Sequence, residues 1–299
     1  MAAGKQAIGE PEPSPALQIR RAAPGDAEAC GRICYEAFRE IATRHNFPLD
    51  IPAPEIATGI LSTMFSHPGF FCVVAEQDGE IVGSNCVDER TPIAGIGPIT
   101  INPAAQNRSI GRRLMQTAMD RAAERKAPGI RLVQAGYHTR SLSLYSKLGF
   151  VVREPLVCMQ GPAIRGSAPG YEVRQARDTD LESCNALCRS VHGHDRGGEL
   201  SDAIQHGTAV VAESRGRIAA YATIVAFFGH AVGETNEDIQ AILAAAPAFE
   251  GPGILIPARN YGLFRWCLEN GLRVTQPMTL MTIGLYNEPR GAYFPSVLF

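Results

Sequence analysis

The chain has 299 residues, 45% of them hydrophobic, with 28 Lys and Arg set against 30 Asp and Glu. A net charge of −2 supplies no global basic field, which argues against nucleic acid as a partner. No apolar run reaches the ~20 residues of a membrane span, so no membrane partner is expected, and the length and apolar content predict two domains with a large buried core.

Residues 1–16 hold Pro, Gly and charge without an apolar h-region, so they read as a disordered tail rather than a secretory signal. A strand near 17–21 precedes helices over 26–40 and 54–65. A hairpin follows, 70–76 to 80–87, turning at Gln77-Asp78-Gly79. The strand over 94–102 alternates at Ile99 and Ile101 and is stopped by Asn102-Pro103. A polar turn then opens an amphipathic helix to about 125, with Ile110, Leu114, Met115, Ala118, Met119 and Ala122 on its apolar face. A β-rich run over 129–134, a helix over 139–148 closed by Gly149 as its C′ residue, and a strand over 150–160 complete the order β-α-α-β-β-β-α-β-α-β. Residues 161–170 have linker composition.

The helix that begins near Ile110 carries an unusual charge. Helix N-termini favour Asp or Glu, yet Arg108, Arg112 and Arg113 crowd this one. Ser109 is placed to be the N-cap, but Arg112 stands where a capping box has Glu. Cations gathered at a helix start predict an anion there, held by exposed backbone N–H groups and guanidinium.

The chain also repeats itself. Residues 19–34 align without gaps to 173–188, so that Arg20, Ala22, Asp26, Glu28, Cys30 and Cys34 recur as Arg174, Ala176, Asp180, Glu182, Cys184 and Cys188. Val73-Val-Ala-Glu76 recurs as Val210-Val-Ala-Glu213, and Tyr145-Ser-Lys-Leu-Gly149 is answered by Cys267-Leu-Glu-Asn-Gly271. Three colinear matches predict a duplicated domain, divided as 17–160 and 171–299.

Ile101-Asn102-Pro103, followed by Gln106-Asn107-Arg108-Ser109-Ile110-Gly111, resembles the GNAT superfamily of N-acetyltransferases. That family reads Val-x-Pro and then Gln/Arg-Gly-x-Gly-x-Gly/Ala; two of its glycines are Asn107 and Ser109 here. The resemblance is strong over 17–160 and weakened over 171–299. It implies an α/β architecture of two GNAT-like domains, each a mixed, mostly antiparallel twisted sheet flanked by helices. It further implies that Gln106, Asn107, Arg108, Ser109, Ile110, Gly111 and Arg112 hold the pyrophosphate of acetyl-coenzyme A. The strand carrying Ile99 and Ile101 would splay from its neighbour and receive the pantetheine arm. Tyr145 would protonate the departing thiolate, and His138 takes the place of an asparagine that contacts the cofactor in the family.

The expected activity is therefore acetyl transfer to the amine of a small-molecule or peptide acceptor, with one site in the first half. The alternative is an acyl-coenzyme A sensor or scaffold without transfer. Asp88 and Glu89, at a strand end, are candidates to take the amine's proton directly or through water, and 41–69 is expected to line the acceptor pocket. In the second half the segment Phe227–Asp238 replaces the cradle and puts Glu234, Glu237 and Asp238 at the helix start, where they would repel a pyrophosphate. This half reads as a degenerate domain that completes the cleft or forms an intramolecular pseudo-dimer. His192-Gly-His194-Asp195 reads either as a polar loop or as a proton or metal site. The eight cysteines form no Cys-x-x-Cys pair and lack a His cluster to complete a metal site, so they read as small buried hydrophobes in a reducing, cytoplasmic setting.

Overall fold

The computed structural model of the chain describes residues 17–106, 108–166 and 168–298. The tail expected over 1–16 and the cradle residue Asn107 lie outside them. The first half runs β1 (Gln18–Arg21), α1 (Ala27–His45), α2 (Pro54–Ser66), β2 (Phe70–Gln77), β3 (Glu80–Asp88), β4 (Ala94–Ile101), α3 (Ile110–Glu124), β5 (Gly129–Ala135), α4 (Thr139–Lys147) and β6 (Val151–Gln160). The second half repeats that order with β7 (Glu172–Gln175), α5 (Leu181–His192), α6 (Gly197–Gln205), β8 (Val210–Ser214), β9 (Arg217–Ala222), β10 (Ala231–Gly233), α7 (Asn236–Ala245), β11 (Ile254–Pro257), α8 (Tyr261–Glu269) and β12 (Arg273–Gly284), then adds β13 (Ala292–Phe294). No described helix is long and apolar enough to cross a membrane.

Local signals in the sequence account for the element ends. Asp78 and Gly79 both take positive φ, which gives the β2–β3 turn the twist that antiparallel strands need; Arg215 and Gly216 do the same between β8 and β9. Gly149, at φ 97°, closes α4, and Phe150 N–H then reaches back to the Tyr145 carbonyl at 3.0 Å.

The repeat is also visible as chemistry. Arg20 grips Asp26 at 2.7 and 3.0 Å and Glu76 at 2.8 Å, and Arg174 grips Asp180 at the same two distances and also pairs with Glu213. Each network ties the first strand of its half to the turn before the helix and to the neighbouring strand.

The halves are not separate sheets joined by a linker. Strand order in the larger sheet is β1-β2-β3-β4-β5-β12-β6-β11, and in the smaller β13-β10-β9-β8-β7. Strand β12 of the second half lies between β5 and β6 of the first, and β6 lies between β12 and β11. The halves therefore exchange their late strands reciprocally. Leu156, Cys158 and Met159 of β6 are buried by this exchange. So is the carboxylate of Glu154, which Arg259 satisfies from the second half at 2.7 and 3.0 Å. A buried carboxylate is tolerated when paired in this way.

The cysteine expectation needs one correction. Cys72 and Cys86 are direct cross-strand partners in β2 and β3, 4.1 Å apart at Cα, and form a disulfide. The remaining six are buried thiols.

A chain ending at Gln160 would keep β6 but lose both strands that flank it. We expect it to lose the cooperative thermal transition of the full chain by circular dichroism. A sharp transition with monomeric elution would contradict the shared sheet.

Candidate active site

Strands β4 and β5 run parallel, but they pair only at Ala94↔Ile130 and Gly95↔Arg131. Immediately beyond, β4 bulges against β3, where Asn85 faces Ile99 but Val87 faces Ile96. The bulge holds Gly97-Pro98, whose peptide is cis, with Gly97 at φ 149°. Side-chain-bearing residues rarely adopt that φ, and proline has no N–H to donate. The edge of β4 that carries Ile99 and Ile101 therefore leaves β5, and backbone groups along it are freed for a ligand.

A cavity of about 1080 Å³, counting the part open to solvent, fills the gap. Ile99, Thr100, His138, Ser141 and Tyr145 line it from the first half. Tyr145 is 6% exposed, and burial pushes its phenol up to about 12 against the opposing influence of the Ser141 hydroxyl. Ser141 Oγ is 2.9 Å from His138 Nδ1. Positions 138, 141 and 145 recur at helical spacing, so α4 and its N-cap residue His138 present all three to the cavity. Burial, aided by Arg140, His45 and Arg44, lowers His138 to about 4 and keeps the imidazole neutral.

At the other end of the gap, α3 begins at Ile110, which is buried, with Gly111 behind it. A Cβ on Gly111 would sit 3.1 Å from Ile101 Cδ1, so glycine lets the helix close onto β4. Ser109 stands at the N-cap position but does not cap as expected. It adopts φ 60°, ψ 9°, and its side chain makes no capping bond. The first helical bond is Arg113 N–H to the Ser109 carbonyl at 3.1 Å, so the N–H groups ahead of it face outward. Arg108, Arg112 and Arg113 are exposed beside them, and among the described residues none is ion-paired. Arg140 donates to Gln106 Oε1 at 2.8 Å and fastens this turn to α4.

Asp88 and Glu89 do not serve as expected. Asp88 is held by Arg90 at 2.9 and 2.5 Å, and Glu89 by Arg121 at 2.7 and 3.1 Å, and neither lines the cavity. Opposite charges compensate them on a remote face. The carboxylate that does line the cavity is Asp50, in the loop after α1. It is half-buried, and desolvation raises its pKa above the usual carboxylate value, while Gln276 of β12 donates to it and lowers that rise. Tyr137 in turn donates to Gln276 Oε1 at 3.2 Å and stacks on Phe47 with ring centroids 4.1 Å apart.

Gln134 of β5 also lines the cavity; it is 6% exposed, and neither its Nε2 nor its Oε1 has a partner among the described residues. An unpartnered buried amide is costly unless a ligand or water satisfies it. Gln134 shares a strand face with Ile130 and Leu132, so a polar residue breaking an apolar alternation was the available signal. Asp50 sits in an aperiodic loop and gave none.

The second half contributes walls rather than a second cleft. Phe227, Phe228, Met278, Val297 and Leu298 all reach the cavity. Its own counterpart is closed twice over. Asp238 accepts from Thr235 N–H at 2.7 Å, from Thr235 Oγ at 2.9 Å and from Tyr171 Oη at 2.7 Å, which seals the start of α7. The edge of β10 equivalent to the free edge of β4 is paired with β13 throughout, Ala231↔Phe294 to Gly233↔Ala292. Cys267, at the position of Tyr145, is fully buried, and desolvation lifts its thiol to about 12. His192 and His194 are buried beside Arg131, and desolvation lowers both.

Comparison with known proteins agrees with this geometry. Residues 34–150 match the family model of the Acetyltransferase (GNAT) family. A putative acetyltransferase of Pyrococcus horikoshii superposes with a TM-score of 0.72 at 20% identity, covering 96% of this chain and 98% of that one. A GCN5-related N-acetyltransferase of Sphaerobacter thermophilus gives 0.59 at 15% identity, covering 91% and 96%. A tandem GNAT protein from the clavulanic acid biosynthesis pathway gives 0.53 at 12% identity, covering 90% and 98%. No curated protein matches the chain at a significant level. Residues 34–150 thus match the GNAT acetyltransferase family model, and the chain as a whole shares the fold of these acetyltransferases, one of them a tandem GNAT protein.

If Asp238 closes α7 as described, Asp238→Ala should cost about 1 kcal/mol, because it removes the carboxylate of the capping box and the acceptor of the Thr235 and Tyr171 donors. A urea titration checks this through the transition midpoint, and an unchanged midpoint would contradict it.

Proposed function

We propose that the protein is an acetyl-coenzyme A-dependent N-acetyltransferase with one working site, in the first half. The observation that carries this reading is spatial. The arginine-ringed start of α3 and the Tyr145 hydroxyl stand at the two ends of one gap, opened where β4 leaves β5. A helix start with free N–H groups suits a diphosphate, and Arg108, Arg112 and Arg113 add charge. Gln106, Ser109, Ile110 and Gly111 are the described residues around it. A strand edge with open backbone groups, at Ile99 and Ile101, suits the amides of a pantetheine arm. Gln134 offers one further donor and one acceptor to the same arm, and His138 orients Ser141 against Tyr145.

Acyl transfer forms an N–C bond and breaks a C–S bond. The amine must first lose its ammonium proton, for which Asp50 is the carboxylate in the cavity. Backbone N–H groups on the open edge of β4 stabilise the negative oxygen that develops on the carbonyl, where low dielectric strengthens them. Tyr145 donates its proton to the departing thiolate and is reprotonated by the proton the nitrogen sheds after attack. With a pKa near 12, the phenol remains protonated throughout the physiological range. His138, lowered to about 4, stays neutral over that range, with its Nδ1 within hydrogen-bond distance of Ser141 Oγ.

Tyr145→Phe should lower kcat by on the order of 10²–10⁴ while the calorimetric Kd for acetyl-coenzyme A stays within about twofold. Unchanged turnover would remove Tyr145 from the mechanism. Arg112→Glu combined with Arg113→Glu should weaken coenzyme A binding at least about tenfold, and the loss should shrink at high salt. Unaltered affinity would contradict the diphosphate site.

A further inference from the structure

The acceptor side of the cavity has a definite chemistry. Its wall is aliphatic and aromatic, drawn from both halves: Phe38, Ile51 and Ile60 on one side, Phe228, Met278 and Leu298 on the other. Among the described residues that line it there is one side-chain carboxylate, Asp50, and there is no lysine or arginine. His138, the lining imidazole, is kept uncharged by burial. Asp50 is held in place through Gln276, which is itself fixed by the Tyr137 hydroxyl. Gln276 arrives on β12, so the exchanged strand sets the position of the carboxylate.

A charge placed in such a cavity without a counter-charge loses its hydration and gains nothing in return. One negative group accommodates one ammonium. An acceptor carboxylate or phosphate would meet apolar wall and the like charge of Asp50. A second ammonium on the same molecule would be left unpaired among hydrocarbon.

From this we infer that the acceptor is a primary monoamine on an apolar body, with no carboxylate or phosphate, whose ammonium docks on Asp50. The inference rests on the transferase reading above and specifies its substrate class. Asp50 takes one proton from the ammonium and passes it to solvent. The neutral nitrogen then attacks the thioester carbonyl, a new N–C bond replaces the C–S bond, and coenzyme A leaves as the thiol.

The test uses the full chain, acetyl-coenzyme A and three amines of one length: hexylamine, 6-aminohexanoate and hexane-1,6-diamine. Free thiol is followed with a chromogenic reagent. The expected result is a kcat/KM for hexylamine at least tenfold above that for either competitor. In Asp50→Asn, which preserves the acceptor for Gln276, kcat/KM for hexylamine should fall at least tenfold. The calorimetric Kd for acetyl-coenzyme A should stay within twofold, a separation that general loss of structure would not produce. Equal or better turnover of the aminohexanoate or the diamine overturns the inference and leaves the transferase reading standing. Unchanged hexylamine kinetics in Asp50→Asn also overturns it. Thiol release with none of the three amines overturns the inference, and absence of any calorimetric binding of acetyl-coenzyme A overturns the transferase reading with it.

Discussion

The parting of β4 from β5 after Gly95 is the constraint on which the rest of the structure turns. Two parallel strands that continued to pair would close the sheet and leave no room between them. The bulge at Gly97-Pro98 prevents that pairing, and the glycine supplies a conformation that other residues avoid. Backbone groups on the freed edge of β4 then need partners, because buried donors and acceptors are expensive to leave unmet. The cavity, the orphaned amide of Gln134 and the inward face of α4 are all consequences of one interrupted ladder.

The second half gives that opening its walls. Reciprocal exchange places β12 against β5 and β6 against β11, so neither half completes its sheet alone. The exchange brings Met278 and Gln276 to the first half's cavity, and the segment after β13 adds Val297 and Leu298. The same C-terminal strand closes the equivalent edge of β10. One segment thus seals the second half's cleft and, a few residues later, helps line the first. The two halves, alike in element order, thus differ in whether the equivalent strand edge is open.

Much of this was legible in the residues. The element order of the first half follows from periodicity, from Asp78-Gly79 and from Gly149, and the structure reproduces it with shifts of a few residues at the ends. The repeat was legible because Arg20, Asp26 and Glu76 recur as Arg174, Asp180 and Glu213, one ion network built twice. Strand exchange was not legible, since β6 and β12 are both apolar enough to pair in several ways and nothing local selects the partner. Asp50 was hidden because the residue that holds it lies 226 positions away; Asp88 and Glu89 are instead engaged by Arg90, two residues along, and by Arg121 on α3. The arginines at the start of α3 stand out for the opposite reason: they conflict with the local helix dipole, and that conflict is readable from the sequence alone.

A crystal structure of the full protein grown with acetyl-coenzyme A would test the central claim most directly. The account predicts density for the diphosphate at the N–H groups that open α3, with the pantetheine arm threading between β4 and β5 toward Tyr145. A ligand bound elsewhere, or a gap that remains empty at saturating concentration, would contradict it.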